Sequence, residues 1–322
     1  MSAHIAIIGA GIVGVSTAVW LQRAGYDVTL IEREQAAGEA ASYGNAGVLA
    51  SSAIVPLSVP GLLRKAPKML LDRDEPLFLK WSYLPRLSPW LHRFLQHANA
   101  QEAQRITAGL AALISDSLAD HQALAQGTGA ERWLHASDYL YLYRSRAEFD
   151  AEGFEWALRR QHGFAWDEME GMGFRTFDPV FSPEMGFAIR MGNHGRISDP
   201  GAYVKALAAH VVAQGGRIMR AEVSDIVREN GRVIGLRASG ETLPCDATVL
   251  AGGAWAQDLA RRMGVRVPLE TERGYHLELI EPSFMPRAPV MIAAGKFVIT
   301  PMEGRLRLAG IVEFGGLSAP PS

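Results

Sequence analysis

The stretch HIAIIGAGIVGVSTAVWLQRAGYDVTLIEREQAAGEAASYGNAGVLA, residues 4–50, decides the fold of this 322-residue chain. An apolar run, Ile5–Ile8, leads into Gly9-Ala-Gly11-Ile-Val-Gly14; a helical pattern follows to Ala24, Gly25 ends it, and a second apolar run, Val28–Ile31, delivers Glu32. Together these read as a strand–helix–strand unit with a dinucleotide fingerprint. A pyrophosphate is held by backbone N–H groups at a helix N-terminus, where the aligned peptide dipoles favour negative charge. Gly9 permits the tight turn, Gly11 lets the backbone approach the phosphates, and Gly14 lets helix and sheet pack closely. Glu32 stands where an acid accepts hydrogen bonds from a ribose 2′-hydroxyl, and its charge argues against a 2′-phosphate. The fingerprint alone leaves NAD and FAD open.

Composition narrows the partners. Lys and Arg number 32 against 34 Asp and Glu, a net charge of −2, so there is no electrostatic case for nucleic acid or an anionic membrane surface. A single cysteine, Cys245, excludes an internal disulfide and a cysteine-based metal cluster, and reads as a small buried hydrophobe ahead of a strand. Ile5–Trp20 lacks the basic start of a secretory signal and is cut by the glycines, so it reads as mature, cytoplasmic protein. No run of about 18 uninterrupted apolar residues predicts a transmembrane span. The nearest, Ala288–Met302, is short and broken by Lys296, and peripheral contact with the cytoplasmic membrane face is left open.

An NAD fold would follow Glu32 soon with another helix and strand of the same sheet. Here a run of small residues, Ala36–Ala50, follows instead, able to bring backbone close to a larger ligand, with Ser42 and Asn45 as directed hydrogen-bonding groups. The fingerprint, Glu32 and Ser42-Tyr-Gly-Asn-Ala-Gly47 together resemble the D-amino-acid oxidase superfamily of FAD enzymes, in its bacterial D-amino-acid dehydrogenase branch. The resemblance implies an α/β fold in which a Rossmann-like FAD-binding domain is interleaved with an α+β substrate domain containing a mixed or antiparallel sheet. It assigns the first loop to the FAD pyrophosphate, the acid to the adenosine ribose, and the second loop to the pyrophosphate and flavin. Gly9, Gly11, Gly14, Glu32, Ser42, Asn45 and Gly47 take these roles, with Ile12, Val13, Arg33 and Ala46 beside them in the cofactor-binding set. Neither His nor Cys occurs in Ser42–Ala50, so covalent attachment of flavin from this loop is not suggested.

Beyond residue 55 the chain reads as mainly helical to Gln126, with prolines at 56, 60, 67, 76, 85 and 89 dividing its early part into short pieces. Arg64, Lys65 and Lys68 read as a solvated face. Ile106, Leu110, Leu113, Ile114, Leu118 and Leu124 follow one helical face. Tyr139–Arg144 alternates as a strand, Ala147–His162 reads as the helix after it, and Trp166–Met191 is turn-rich. His194 and Arg196 read as turn residues before a helix that Asp199 caps, Pro200 opens and Gly215-Gly216 stops. Short strands follow at Arg217–Arg220, Glu222–Arg228 and Arg232–Ala238, the last two joined by the hairpin signal Asn230-Gly231. An apolar run, Ala247–Ala251, ends in Gly252-Gly253-Ala254-Trp255.

On the resemblance, Val223 lies near the adenine, while Ala251, Gly252 and Gly253 let a returning strand pass close to FAD. The expected FAD-binding domain is residues 1–55 and 192–260, and the substrate domain residues 56–191 and 261–322. Thr271–Glu278, Lys296–Pro301 and Arg305–Gly310 resemble strands of the substrate-domain sheet. Family members continue past Gly310–Gly316 with a segment that closes the flavin sheet, so the chain is expected to be a fragment, the alternative being a site completed by another chain.

The implied reaction is oxidation of a D-amino acid to an imino acid, by transfer of the Cα hydride to flavin N5, and hydrolysis to a 2-oxo acid and ammonia. The substrate is a small amino acid or amine, and the electron acceptor a quinone or other oxidant. Neither a metal nor a protein nucleophile is needed, but the substrate amine must present a lone pair. Tyr275 and His276 are the leading pocket candidates, with Phe297 next by its place on a neighbouring strand. Arg273 is placed either on a substrate carboxylate or in an ion pair with Glu272 or Glu278. Alternation along a strand sets Arg273 and Tyr275 opposite Gly274 and His276. The alternatives are oxidation of glycine, sarcosine or D-hydroxyproline, a nicotinamide dehydrogenase, and a non-catalytic FAD-binding subunit.

Overall fold

The computed structural model describes residues 2–64 and 77–322. Lys65, Pro67, Lys68 and Pro76, named above, lie outside the described residues. The chain forms two compact units, one of residues Met1–Asn45, Gln122–Leu134 and Asp199–Thr271, the other of Ala46–His121, His135–Ser198 and Glu272–Ser322.

The first unit is built on a four-stranded parallel sheet in the order Ala247–Leu250, His4–Ile8, Asp27–Glu32, Arg217–Arg220. Its central strands are nearly continuous apolar runs because both faces of a parallel sheet are covered. Ala6, Ile8 and Ile31 form one core with Ile226, Leu236 and Cys245, brought by a three-stranded antiparallel sheet of Val223–Glu229, Arg232–Ala238 and Glu241–Pro244. The helices Ile12–Arg23 and Pro200–Ala213 pack against each other. The second starts as its sequence requires: the Asp199 carboxylate accepts from the Ala202 N–H at 2.9 Å, and Pro200 takes the first helical position. Asn230 and Gly231 both adopt left-handed φ, 49° and 78°, the geometry of a type I′ hairpin turn.

The second unit is a mixed sheet in the order Arg273–Ile280, Arg305–Phe314, Phe297–Met302, Val290–Ile292, Leu134–Tyr143, Phe187–Ile197, Val48–Leu49. Leu77–Leu79 adds beside Arg305–Phe314, and Asp167–Glu170 beside Phe187–Ile197. Residues 139–143 show why: Tyr139, Tyr141 and Tyr143 enter one core with Phe149, Trp156 and Phe187, while Leu140 and Leu142 enter another with Phe174 and Val290.

Several expectations are corrected. His194 and Arg196 are strand residues, because Phe187–Ile197 runs unbroken past Asn193, whose φ of 57° accommodates a turn-like sequence inside a strand. Pro89 lies inside the helix Leu84–Gln96 and does not divide it. The Ala147–His162 segment is two helices, Arg146–Asp150 and Gly153–Gln161. The helix Ala100–Ile114 buries small residues, Ala103 and Thr107, and leaves Leu113 exposed. The unit limits also differ from the expected domain limits. Val48 and Leu49 pair with Arg196 and Gly195, which keeps both segments in the second unit. Residues 122–134 belong to the first, where the Arg23 guanidinium donates to the carbonyls of Ala123, Leu124 and Gln126 at 2.8–3.0 Å.

Burial of His194 gives a pH-dependent stability. Its Nδ1 lies 2.7 Å from the Gly192 carbonyl, so Nδ1 carries the proton; Nε2 accepts from the Ser52 hydroxyl at 2.8 Å and the Ser52 N–H at 3.2 Å. Burial pushes the imidazole pKa below its ordinary value, and a second proton, on Nε2, ends its acceptance from the Ser52 N–H and turns the Ser52 hydroxyl from donor to acceptor. The unfolded chain therefore takes up the proton first as pH falls through about 6.5. Stability is expected to fall as pH drops below that value and to level off once the native imidazole also protonates. Urea midpoints of wild type and His194→Gln between pH 7.5 and 5 check this; equal slopes for the two would remove His194 as the cause.

Among the described residues no helix is long and apolar enough to cross a membrane.

Candidate functional site

The three glycines of the first loop are required for three different reasons. Gly9 has φ +103°, and a Cβ there would lie 2.6 Å from the Ala251 carbonyl oxygen, so no side chain fits. At Gly14 a Cβ would lie 1.9 Å from the Gly9 carbonyl oxygen, so this glycine closes the helix onto the strand end. Gly11 has an extended backbone, φ −70° and ψ 179°, that any residue adopts, and a Cβ would meet only Ser42 Oγ at 3.3 Å. The fold does not demand glycine at 11; space for a ligand does.

Around that space the other fingerprint residues converge. Glu32 ends its strand, with Oε2 accepting from the Ala10 N–H at 2.7 Å and Oε1 from the Glu34 N–H at 3.0 Å. Each carboxylate oxygen has a second lone pair, leaving acceptor capacity for ribose hydroxyls. Ser42 Oγ accepts from the Ile12 N–H at 2.9 Å and so caps the helix from outside it. The Gly38 N–H donates to the Ala10 carbonyl at 3.0 Å, which lays the second loop against the first. Val13 is 64% exposed at the start of the helix, with Ile12 half-buried beside it. Ala251 continues the returning strand, its N–H donating to the Ile8 carbonyl at 2.9 Å, and Gly253 turns away with φ +54°. The Ala221 N–H donates to the Glu32 carbonyl at 2.9 Å, and Val223, two residues on, packs at the edge of the apolar core below. Gly9, Gly11, Ile12, Val13, Gly14, Glu32, Arg33, Ser42, Asn45, Val223, Ala251, Gly252 and Gly253 all belong to the first unit. Ala46 and Gly47 fall in the second, where the Gly47 carbonyl accepts from the Ile197 N–H at 2.7 Å. A cradle that a Cβ at Gly11 would enter, N–H groups at a helix start and an acid at the neighbouring strand end fit an adenine dinucleotide.

Arg273, Tyr275 and His276 are in the second unit, on the edge strand Arg273–Ile280. The expected alternation is present. Arg273 and Tyr275 converge on Glu313 of the next strand, the guanidinium at 3.3 Å and the hydroxyl at 3.1 Å, and Lys80 Nζ approaches the same carboxylate to 3.4 Å. Arg273 thus pairs with Glu313, while Glu278 pairs with Arg305 and Arg307. Burial alone pushes the Glu313 carboxyl up; hydrogen bonds from Ser322 and Tyr275 and the Lys80 charge hold it below its ordinary range. His276 is exposed and shares its face with Glu278, which pairs with Arg305 at 3.0 Å and with Arg307 at 2.6 Å. Partial burial and the Arg307 charge push the His276 pKa down, so its ring is neutral at pH 7. Phe297 is displaced from this set. Strand Arg305–Phe314 separates its strand from that of His276, and its ring packs at the edge of the Leu140–Val290 core.

Glu313, Lys80 and Arg307 were absent from the sequence reading. Arg305 and Arg307 carried a signal, two cations at alternate positions of a strand, but their partner Glu278 is set by register alone. Among the described residues no cluster of His, Cys, Asp or Glu is placed to hold a metal ion.

The family described as FAD dependent oxidoreductase matches residues 4–322. The chain is 38% identical over 321 residues to a D-amino-acid oxidase of Bradyrhizobium diazoefficiens, covering 99% of this chain and 76% of that protein. It is 30% identical to a D-amino acid dehydrogenase of Methylobacterium nodulans, covering 98% of this chain and 76% of the relative. Among solved structures, glycine oxidase from Bacillus cereus has the same fold, with a TM-score of 0.67 at 20% identity, covering 99% of this chain and 74% of that one.

Proposed function

The chain belongs to the FAD dependent oxidoreductase family, and from that premise we propose that it oxidises a D-amino acid to the 2-oxo acid and ammonia. The observation that supports the substrate class is the 38% identity to a D-amino-acid oxidase over nearly the whole chain. FAD, when bound, supplies the hydride acceptor for the substrate Cα–H bond.

The first unit is the FAD-binding domain in this reading. The Gly11 and Val13 backbone and the helix start hold the diphosphate, Glu32 holds the adenosine ribose, and Ser42, Asn45, Ala46 and Gly47 line the approach to the flavin. The second unit carries the substrate. Arg273 supplies donors for a carboxylate, and Glu313, which also accepts from the Tyr275 hydroxyl, fixes its position. His276, neutral at pH 7, accepts a proton from the substrate ammonium, which leaves the amine its lone pair. A quinone or oxygen takes the electrons afterwards, and the protein works in the cytoplasm or at the cytoplasmic face of the membrane.

Anaerobic titration of the purified holoprotein with neutral D-amino acids is expected to bleach its visible flavin absorbance. Bleaching by sarcosine or glycine alone would move the substrate to the secondary-amine and glycine class, and no bleaching by either set would leave a non-catalytic FAD protein. His276→Ala is expected to slow flavin reduction about 100-fold with FAD still bound, the usual worth of a general base. An unchanged rate would take His276 out of the site.

A further inference from the structure

Two side chains meet across the end of the first strand. Ile8 is paired on one side with Leu250 and on the other with Ile31, so the residues leaving those neighbours, Ala251 and Glu32, flank Gly9. Two strand spacings, roughly 10 Å, separate the flanking strands. Arg33 follows one and Trp255 the other, and they close that gap: the guanidinium carbon stands 3.9 Å from the Trp255 ring centroid. Trp255 is held by its N–H donating to the Gly252 carbonyl at 3.1 Å, and Arg33 Nε also bonds Glu34 Oε1 at 3.1 Å. Both are surface residues, Trp255 being 42% exposed, and an exposed cation–π contact is weak enough to open and re-form. The core does not need this contact. What it does is join the two segments that leave the strands on either side of Gly9.

We propose that Arg33 and Trp255 form a strap that closes over the adenosine end of bound FAD, so that the cofactor leaves only when the stack opens. The strap rests on the FAD reading above. An indole face and a planar guanidinium both stack on a flat aromatic base, so an adenine nucleotide carrying a diphosphate is the ligand class that suits them. The strap therefore sets how long the cofactor stays, a property separate from turnover.

The test is release of FAD from the holoprotein on dilution, followed by the fluorescence of freed flavin. Trp255→Ala and Arg33→Ala are each expected to speed release about tenfold, a value in the range of one partly desolvated cation–π contact. The double variant should be no faster than the faster single one, because both changes break the same contact. Trp255→Phe keeps a ring and should fall between. Trp20→Ala removes a different surface stack, with Arg23 at 4.8 Å, and should release FAD like wild type. Unchanged release in both single variants, or additive effects in the double one, would overturn the strap. Faster FAD uptake with unchanged release would overturn it too, by putting the stack in the place of the adenine. A wild-type protein that holds no FAD would overturn the cofactor reading, and the strap with it; normal FAD content with unchanged release overturns the strap alone.

Discussion

Gly11→Val is expected to purify folded and colourless. The backbone at Gly11 is extended and a Cβ has only the Ser42 hydroxyl within 4 Å, so the substitution forces little on the fold. It fills the space through which the loop N–H groups reach a phosphate. Overpacking costs about 1–3 kcal/mol and each lost hydrogen bond to a charged group about 1.5–3 kcal/mol, so FAD affinity should fall at least about 100-fold. Gly14→Val makes the control. Its Cβ would stand 1.9 Å from the Gly9 carbonyl oxygen, so that variant should lose the fold and the colour together. Visible absorbance and a thermal melt separate the two outcomes. A yellow Gly11→Val protein would mean that the diphosphate lies elsewhere.

The second large effect lies in the other unit and concerns stability. Arg307 is fully buried, and its guanidinium shares the Glu278 carboxylate with Arg305. Glu278→Gln keeps the shape and removes the charge, leaving two cations close together, one of them out of reach of water. Breaking a buried pair costs about 3–5 kcal/mol, and the partial exposure of Glu278 puts the expected loss near the lower end. For a chain of this size that is a drop in Tm of roughly 4–6 °C. A shift below about 2 °C would show that other groups already neutralise Arg307.

What was legible in the sequence was local. The strand–helix–strand unit, the Asp199 cap with Pro200 behind it, and the Asn230-Gly231 hairpin are each specified within a few residues, and each stands where it was read. Strand Phe187–Ile197 was illegible throughout, because Phe187–Met191 closes a turn-rich segment and Gly192-Asn-His-Gly-Arg196 has turn chemistry. Its end is held extended by a distant segment, Val48–Leu49, which pairs with Arg196 and Gly195, and its start by Asp167–Glu170, which pairs with Phe187–Arg190. The diphosphate end of the site belongs to the first kind, one motif on one loop. The substrate end belongs to the second: Arg273 and Tyr275 find Glu313 about forty residues along the chain, through an antiparallel register shifted between Tyr275 and His276. Pattern and propensity specify elements, whereas register is a property of the assembled sheet.

The central position of His4–Ile8 in its sheet carries a consequence for synthesis. One of its two neighbours is made at once, but the other is Ala247–Leu250, and the bond from the Thr248 hydroxyl to the Ala6 carbonyl joins residues 242 apart. At about 5–20 residues per second, the ribosome takes some 12–50 s to supply that neighbour. Throughout that interval this largely buried apolar strand presents an open edge, an arrangement prone to pairing with another nascent chain. Expression yield should therefore fall with slower translation and rise with holdase chaperones more steeply than the stability of the finished protein would suggest.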